Sequence, residues 1–154
     1  VILVGEMRDF ETINAAVTAA ETGHLVFSTL HTTGAAETID RIIDVYPPHS
    51  QGQIRSQLAN SVVGIISQTL VPTADGKGRC AALEILAATD AIRSMIREGK
   101  IFQVPTAIAT GKKNGMFTLD QDLARLVNMG KITNEVALTK CQDPNEYRRY
   151  LSVG

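Results

Sequence analysis

The chain of 154 residues is short of several things, and each shortage excludes a class of protein. It has no excess of charge: 15 Lys and Arg against 16 Asp and Glu leave a formal net charge of -1. A general binder of nucleic acid or of anionic membranes would show a basic surplus, so no nucleic-acid partner is expected. Its two cysteines, Cys80 and Cys141, lie far apart and form no C-x-x-C, which fits reduced thiols and suggests no zinc ligands from the protein. No apolar run approaches membrane-spanning length and no signal peptide is visible, so direct membrane insertion is not expected. Any work at a membrane would go through docking to other proteins. A last absence is the phosphate cradle G-x-x-x-x-G-K-S/T. Gly76-Lys77-Gly78 and Gly111-Lys112-Lys113 lack both its spacing and its hydroxyl residue.

What is present is globular: 44% hydrophobic and 20% charged residues suffice for one core with a small appended unit. The most informative stretch is Val1-Ile2-Leu3-Val4-Gly5-Glu6, four apolar residues running into a glycine and an acid. Such a run predicts a strand buried on both faces, as in a parallel sheet covered by helices, with the acid at its carboxyl end. Open α/β sheets hold ligands there. P-loop ATPases use such a strand to bring a carboxylate to the terminal phosphate, where it holds magnesium or orients the attacking water. The other reading is a core strand ending in an ordinary surface Glu. A buried parallel strand also needs neighbours, and no initiator Met precedes Val1. With the cradle missing, the expectation is the carboxyl-terminal portion of a larger ATPase, or else a protein that is no ATPase.

Further on, Asp9 caps a predicted helix with Phe10, Ile13, Val17 and Ala20 on its core face and Gly23 at its end. His24 to Leu30 reads as a second buried strand, giving the strand, helix, strand order of a right-handed crossover. A helix follows with Thr32 or Thr33 as cap and Ile39, Ile42 and Ile43 inward, stopped by Tyr46-Pro47-Pro48. Ser50 to about Gln68 is read as an amphipathic helix (Ile54, Leu58, Val62, Ile65) merging into a strand with Leu70 and Val71. The turn Ala74-Asp75-Gly76-Lys77-Gly78 then predicts an antiparallel return over 79–86. Short capped helices come next. Thr89-Asp90 opens one with Ile92, Met95 and Ile96 inside and Gly99 closing it, Thr118 to Gln121 has capping-box spacing, and Asp143-Pro144 opens the last. The expected boundary lies near residue 88, with a sheet-bearing unit over 1–88 and a helical unit over 89–154.

Candidate chemistry sits at the two strand tips. Glu6 is a candidate general base or water-orienting carboxylate; alternatively it pairs with Arg8 and takes no part in catalysis. His31, after Ser28-Thr29, stands where a side chain can sense a γ-phosphate, or else is a satisfied structural histidine. His24 is at the other end of the strand, about 20 Å away if seven residues run straight, and is expected to serve folding or a subunit contact. Arg93, Arg97 and Lys100 form a basic edge beside Glu98, which is either a solvated helix face or a set of directional contacts to a neighbouring carboxylate.

The run Val1 to Asp9, followed by Glu21-Thr22-Gly23-His24-Leu25-Val26-Phe27-Ser28-Thr29-Leu30-His31-Thr32, closely resembles the Walker B and His-box segments of the secretion-type hexameric ATPases. Ala91-Ile92-Arg93-Ser94-Met95-Ile96-Arg97-Glu98-Gly99-Lys100 resembles the carboxyl-terminal signature of the type IV pilus retraction, or twitching-motility, branch. Gly115 to Gln121 resembles that branch's next segment. The resemblance covers essentially the whole chain in order. Departures are Ser94-Met95 and Thr33-Gly34, where the branch usually has Asn-Leu and Asn-Ser.

The resemblance implies a partial RecA-like P-loop ATPase core, α/β with a parallel sheet plus an antiparallel hairpin, and a C-terminal helical unit. It implies that Glu6 activates water, that Gly5, Thr29 and His31 bind or sense nucleotide, that His24 and His31 are the His box, and that the helix with Ala91, Ile92, Arg93, Arg97, Glu98 and Lys100 serves retraction. ATP with Mg2+, a homo-hexamer, an inner-membrane pilus platform protein as partner and a cytoplasmic place against the inner membrane are likewise implied. The pilus assembly and type II secretion branches, and a non-catalytic ring-assembly module, are the alternatives. Those branches commonly carry a four-cysteine zinc insertion, which this chain lacks. By itself the chain is expected to hydrolyse no ATP.

Overall fold

The computed structural model describes residues 1–151. Strand β1 (Ile2–Val4) leads to helix α1 (Phe10–Glu21) and strand β2 (Val26–Ser28), and β1 and β2 pair in parallel with Ile2 opposite Val26, Leu3 opposite Phe27 and Val4 opposite Ser28. Asp9 caps α1 as its sequence predicts, its Oδ1 accepting the Thr12 amide at 2.9 Å. Helices α2 (Ala35–Asp44) and α3 (Gln51–Ser61) follow. Strands β3 (Gly64–Pro72) and β4 (Arg79–Ala87) then form the expected antiparallel hairpin, closed where Thr73 N–H donates to the Gly78 carbonyl at 3.0 Å. The remainder is helical: α4 (Asp90–Glu98), α5 (Val104–Thr110), α6 (Leu119–Asn128), α7 (Asn134–Lys140) and α8 (Pro144–Leu151).

Three local expectations shift. The second strand is three residues long rather than seven, because Gly23 takes a positive φ of 93° and His24 is drawn back onto the end of α1. The helix expected to run to Gln68 stops at Ser61: Val62 is already extended, and the β-branched Val62-Val63 before Gly64 favours strand geometry. The third concerns burial. Within the described residues Leu3 is 77% and Phe27 55% exposed, while Ile2, Val4, Val26 and Ser28 on the opposite face are half-buried.

The compact units also divide the chain differently from the expected boundary at 88. The first comprises 1–65 and 87–107, the second 66–86 and 108–154. Packing explains the difference. Helix α4 lies on α3, whose buried Ile54, Leu58 and Ala59 face a core shared with α1 and α2, so the first helix after the hairpin stays with the first unit. The hairpin instead gives Val71 and Ala82 to a core with Leu119, Leu123, Ala124, Leu126, Ile132, Ala137 and Tyr147.

That second core is pinned by two buried acids on α6. Asp120 accepts the backbone amides of Gln142 and Asp143 at 2.7 and 2.8 Å, fixing the entry to α8. Asp122, 2% exposed, accepts the Leu83 amide of β4 at 2.8 Å and the Arg125 guanidinium at 2.7 Å. Asp122→Ala removes the acceptor from a sheltered amide and should cost about 1–3 kcal/mol, read as a lowered urea midpoint, with faster hydrogen exchange at Leu83.

Candidate functional site

Beyond the last ladder pair, Val4 opposite Ser28, the two strands remain tied. Met7 N–H donates to the Thr29 carbonyl at 3.0 Å, and the Thr29 hydroxyl donates to the Gly5 carbonyl at 2.6 Å. These bonds carry the pairing into both exit loops. Glu6 and His31, apart in sequence, meet as a result: Glu6 Oε1 lies 3.1 Å from His31 Nε2. The same oxygen lies 2.6 Å from Arg8 Nε. Extended backbone puts residues i and i+2 on one side, so the spacing of Glu6 and Arg8 was the signal for that second contact.

The electrostatics follow from the contacts. The hydrogen bond from Arg8 is the main influence holding the Glu6 carboxyl below its usual range; burial opposes it, and the nearby Arg8 and His31 charges add to it. A carboxylate so held stays ionised at neutral pH and acts as an acceptor. Since a carboxylate only accepts, the hydrogen between the two side chains belongs to His31 Nε2. Glu6 is 26% exposed in its side chain, whereas His31 and Arg8 reach into solvent.

The loop after His31 is braced in its turn. Thr33 does not cap α2; its amide and hydroxyl donate to Glu37 Oε2 at 3.1 and 2.5 Å, and the cap position falls on Gly34. Thr32 bonds Thr38 across their hydroxyls at 2.6 Å. Glu37 thus belongs to the architecture of the site, signalled in sequence only by its i, i+4 spacing from Thr33. At Gly5 an added Cβ would meet nothing within 4 Å, so open space lies beside the strand tip. Among the described residues, no group of three or more His, Cys, Asp or Glu could hold a metal ion.

The other sequence-predicted residues lie elsewhere. His24 Nδ1 donates to the Ala19 carbonyl at 3.1 Å, beside the Thr22 hydroxyl at 3.2 Å, and so closes the end of α1. On α4, Ala91 is exposed and Ile92 fully buried. Glu98 takes Ser94 Oγ at 2.9 Å and Lys100 Nζ at 2.7 Å. The two arginines turn inward to their own unit: Arg93 Nη1 donates to the Ala59 and Asn60 carbonyls at the end of α3, and Arg97 Nη2 donates to Asn60 Oδ1 at 3.3 Å. Of the two readings of this basic edge, a solvated face or contacts to a carboxylate, neither describes Arg93, which caps α3 because the last carbonyls of that helix have no partner within it.

Truncating that cap has a cost separable from any role in binding. Arg93→Ala should lose about 1–3 kcal/mol in thermal unfolding, since the donor is charged and its acceptors are partly buried. Arg97→Ala, with one long contact from an exposed side chain, should stay within about 0.5 kcal/mol of the parent.

Comparison with known proteins bears on this geometry. The family described as "Type II/IV secretion system protein" matches residues 1–104. The chain is 55% identical to the twitching motility protein of Neisseria gonorrhoeae over 143 residues, which is 93% of this chain and 38% of that protein. It is 54% identical to the type IV pilus retraction ATPase PilT of Pseudomonas aeruginosa over 147 residues, 96% of this chain and 42% of that protein. The crystal structure of the pilus retraction motor PilT with bound ADP superposes with a TM-score of 0.86 at 46% identity, covering 96% of this chain and 41% of that one. The chain therefore spans about two fifths of the length of these relatives. With its parallel strand pair, its hairpin, and Glu6 and His31 joined at the strand tips, it belongs to the type II/IV secretion system protein family.

Proposed function

We propose that this chain is the Walker B and His-box part of a hexameric motor ATPase that retracts type IV pili. The observation that carries the proposal is the meeting of Glu6 and His31, 3.1 Å apart, at the carboxyl ends of two parallel strands. Ligands of α/β sheets bind at such ends. High identity to two retraction or twitching proteins across more than nine tenths of the chain supports the pilus and the direction of its movement.

The residues at hand fit a nucleotide. Glu6 is an ionised acceptor for a water's hydrogen, Arg8 and a doubly protonated His31 ring are exposed donors suited to phosphate oxygens, and Gly5 leaves the space beside them open. Bound Mg2+ATP supplies the phosphoryl group to be transferred and the charge that draws it to these donors. Glu6 orients the attacking water and receives its proton. Thr29 takes part by fixing Gly5, and His31 by fixing Glu6. Mg2+ would be held chiefly by the phosphates.

In the complete protein six copies form a ring on the cytoplasmic side of the inner membrane, against a platform protein of the pilus machine. The described residues include no helix long and apolar enough to cross a membrane. His24, by closing α1, and α4, through Ile92 packing and the Arg93 cap, keep the first unit rigid enough to pass the consequences of hydrolysis to neighbours. Ala91, Glu98 and Lys100 are the members of the α4 segment with surface to offer a partner.

Glu6→Gln in the complete protein tests the reading. It should cut ATP turnover by a factor of about 100 or more while nucleotide affinity is unchanged, as loss of a base or water-orienting group requires. Turnover at the parent rate would overturn it.

A further inference from the structure

The second unit carries a surface that neither its core nor the strand-tip site uses. Along β3, Val71 turns into the core, so the flanking Leu70 and Pro72 share the opposite face, with Leu70 51% exposed. The Thr73 to Gly78 bond that closes the hairpin sets Arg79 across from Pro72. Helix α7 supplies the facing wall. Its Ala137 is fully buried, whereas Glu135, Val136, Thr139 and Lys140 follow the i, i+3 and i+4 spacing of an outward face. Together with Leu70, Pro72 and Arg79 they line a groove of about 400 Å3. The helical wall lies outside the residues 1–104 matched by the family.

Shape and charge both restrict what can fill this groove. None of its lining residues is buried, so it cannot enclose most of a small molecule as ligand pockets do. An open trough with an apolar floor of Leu70, Pro72 and Val136 suits instead the side chains projecting from a peptide. The rim sets the sign of that peptide. Arg79 and Lys140 are exposed and make no side-chain hydrogen bond or ion pair among the described residues, and Glu135 is the one acid of the lining. Beside the groove, the Ala74 amide donates to the Lys131 carbonyl at 2.9 Å and brings Lys131 to the hairpin tip that bears Lys77. The acid of that tip, Asp75, is engaged by its own turn, its Oδ1 accepting the Thr73 hydroxyl at 2.6 Å and the Lys77 amide at 3.0 Å. The surplus is therefore positive. A segment bearing carboxylates neutralises it, and the planar fork of Arg79 can take one of them through two N–H groups.

We propose that this groove docks an acidic, amphipathic segment of a partner protein, whose apolar side chains enter between β3 and α7 and whose carboxylates meet Arg79 and Lys140. The contact area is small, so the complex is weak and quickly reversed. No residue of the strand-tip site takes part, and the groove docks its partner whether or not the motor reading holds.

The test uses the complete protein and labelled synthetic peptides followed by fluorescence anisotropy: one of leucine and glutamate at helical spacing, one with lysine for each glutamate, and one with serine for each leucine. The glutamate peptide should bind saturably, and the other two should bind about tenfold more weakly or worse. Arg79→Glu combined with Lys140→Glu should weaken binding about tenfold. Leu70→Thr, which keeps a residue suited to a strand, should weaken it severalfold, and so should raised salt. All of these positions are exposed, so the variants should unfold at the parent temperature. Hydrogen exchange should slow on binding at Leu70 and over 135–140. No saturable binding, equal binding of the lysine peptide, or parent-like affinity in the charge-reversed protein would each overturn the proposal. A different occupant would overturn it as well: with no peptide bound, charge reversal that changes the mass of the complete protein in light scattering marks a second copy, and charge reversal that abolishes binding to phosphatidylserine vesicles marks a membrane.

Discussion

Two hydrogen bonds beyond the end of a three-residue ladder decide what this chain can do. A parallel pair as short as Ile2–Val4 with Val26–Ser28 is marginal by itself. The bonds from Met7 to Thr29 and from Thr29 to Gly5 lengthen it where side chains must converge. Remove them and Glu6 and His31 are two polar residues on separate loops. Thr29 matters in this role more than as a group that touches ligand, since its hydroxyl hydrogen is already committed to a backbone oxygen. The bracing continues outward through Thr33 on Glu37 and Thr32 on Thr38, so the geometry of the tip is inherited from the start of α2 as well as from the sheet.

A second theme is the use of charge inside the chain. Helix α3 is central to the first unit, packed by α1, α2 and α4, and its last carbonyls take the Arg93 guanidinium. In the second unit Asp120 and Asp122 do the converse, offering buried oxygens to amides that no helix or ladder satisfies. Each is a side chain completing backbone hydrogen bonding, the commonest way for a charged group to be sheltered without loss. The consequence for the α4 segment is that its basic members are unequal. Arg93 is part of the fold, while Glu98 and Lys100 face outward and bond each other.

Much of this was legible in the sequence where local chemistry decides the outcome. Asp9, Thr89 and Thr118 cap the helices they were expected to cap, the last with both halves of its capping box, and the Asp75-Gly76 turn closes its hairpin. Strand, helix, strand order brought Glu6 and His31 to one side of the sheet, but their direct contact was not foreseen. What was not legible depends on packing at a distance. The division at residue 88 respected the change from strands to helices, but the hairpin's buried Val71 and Ala82 belong with α6 to α8, and no local signal says so. The apolar run at the start implied burial on both faces, yet Leu3 and Phe27 lie open, because hydrophobicity reports a preference for cover and not its source. Arg93 read as a surface charge because the carbonyls it serves are more than thirty residues away. Thr33 read as a cap because the competing acceptor, Glu37, lies within the helix itself.

The contact between His31 and Glu6 carries one more implication. An uncharged imidazole owns a single N–H, and here a carboxylate has claimed it. The ring's remaining nitrogen is then a bare lone pair, which repels anionic oxygen. An incoming phosphate must meet either a doubly protonated ring or one that has swung round and surrendered its grip on the acid. On the proposed reading, one proton thus decides whether the ring can hold both negative groups at once or only one of them.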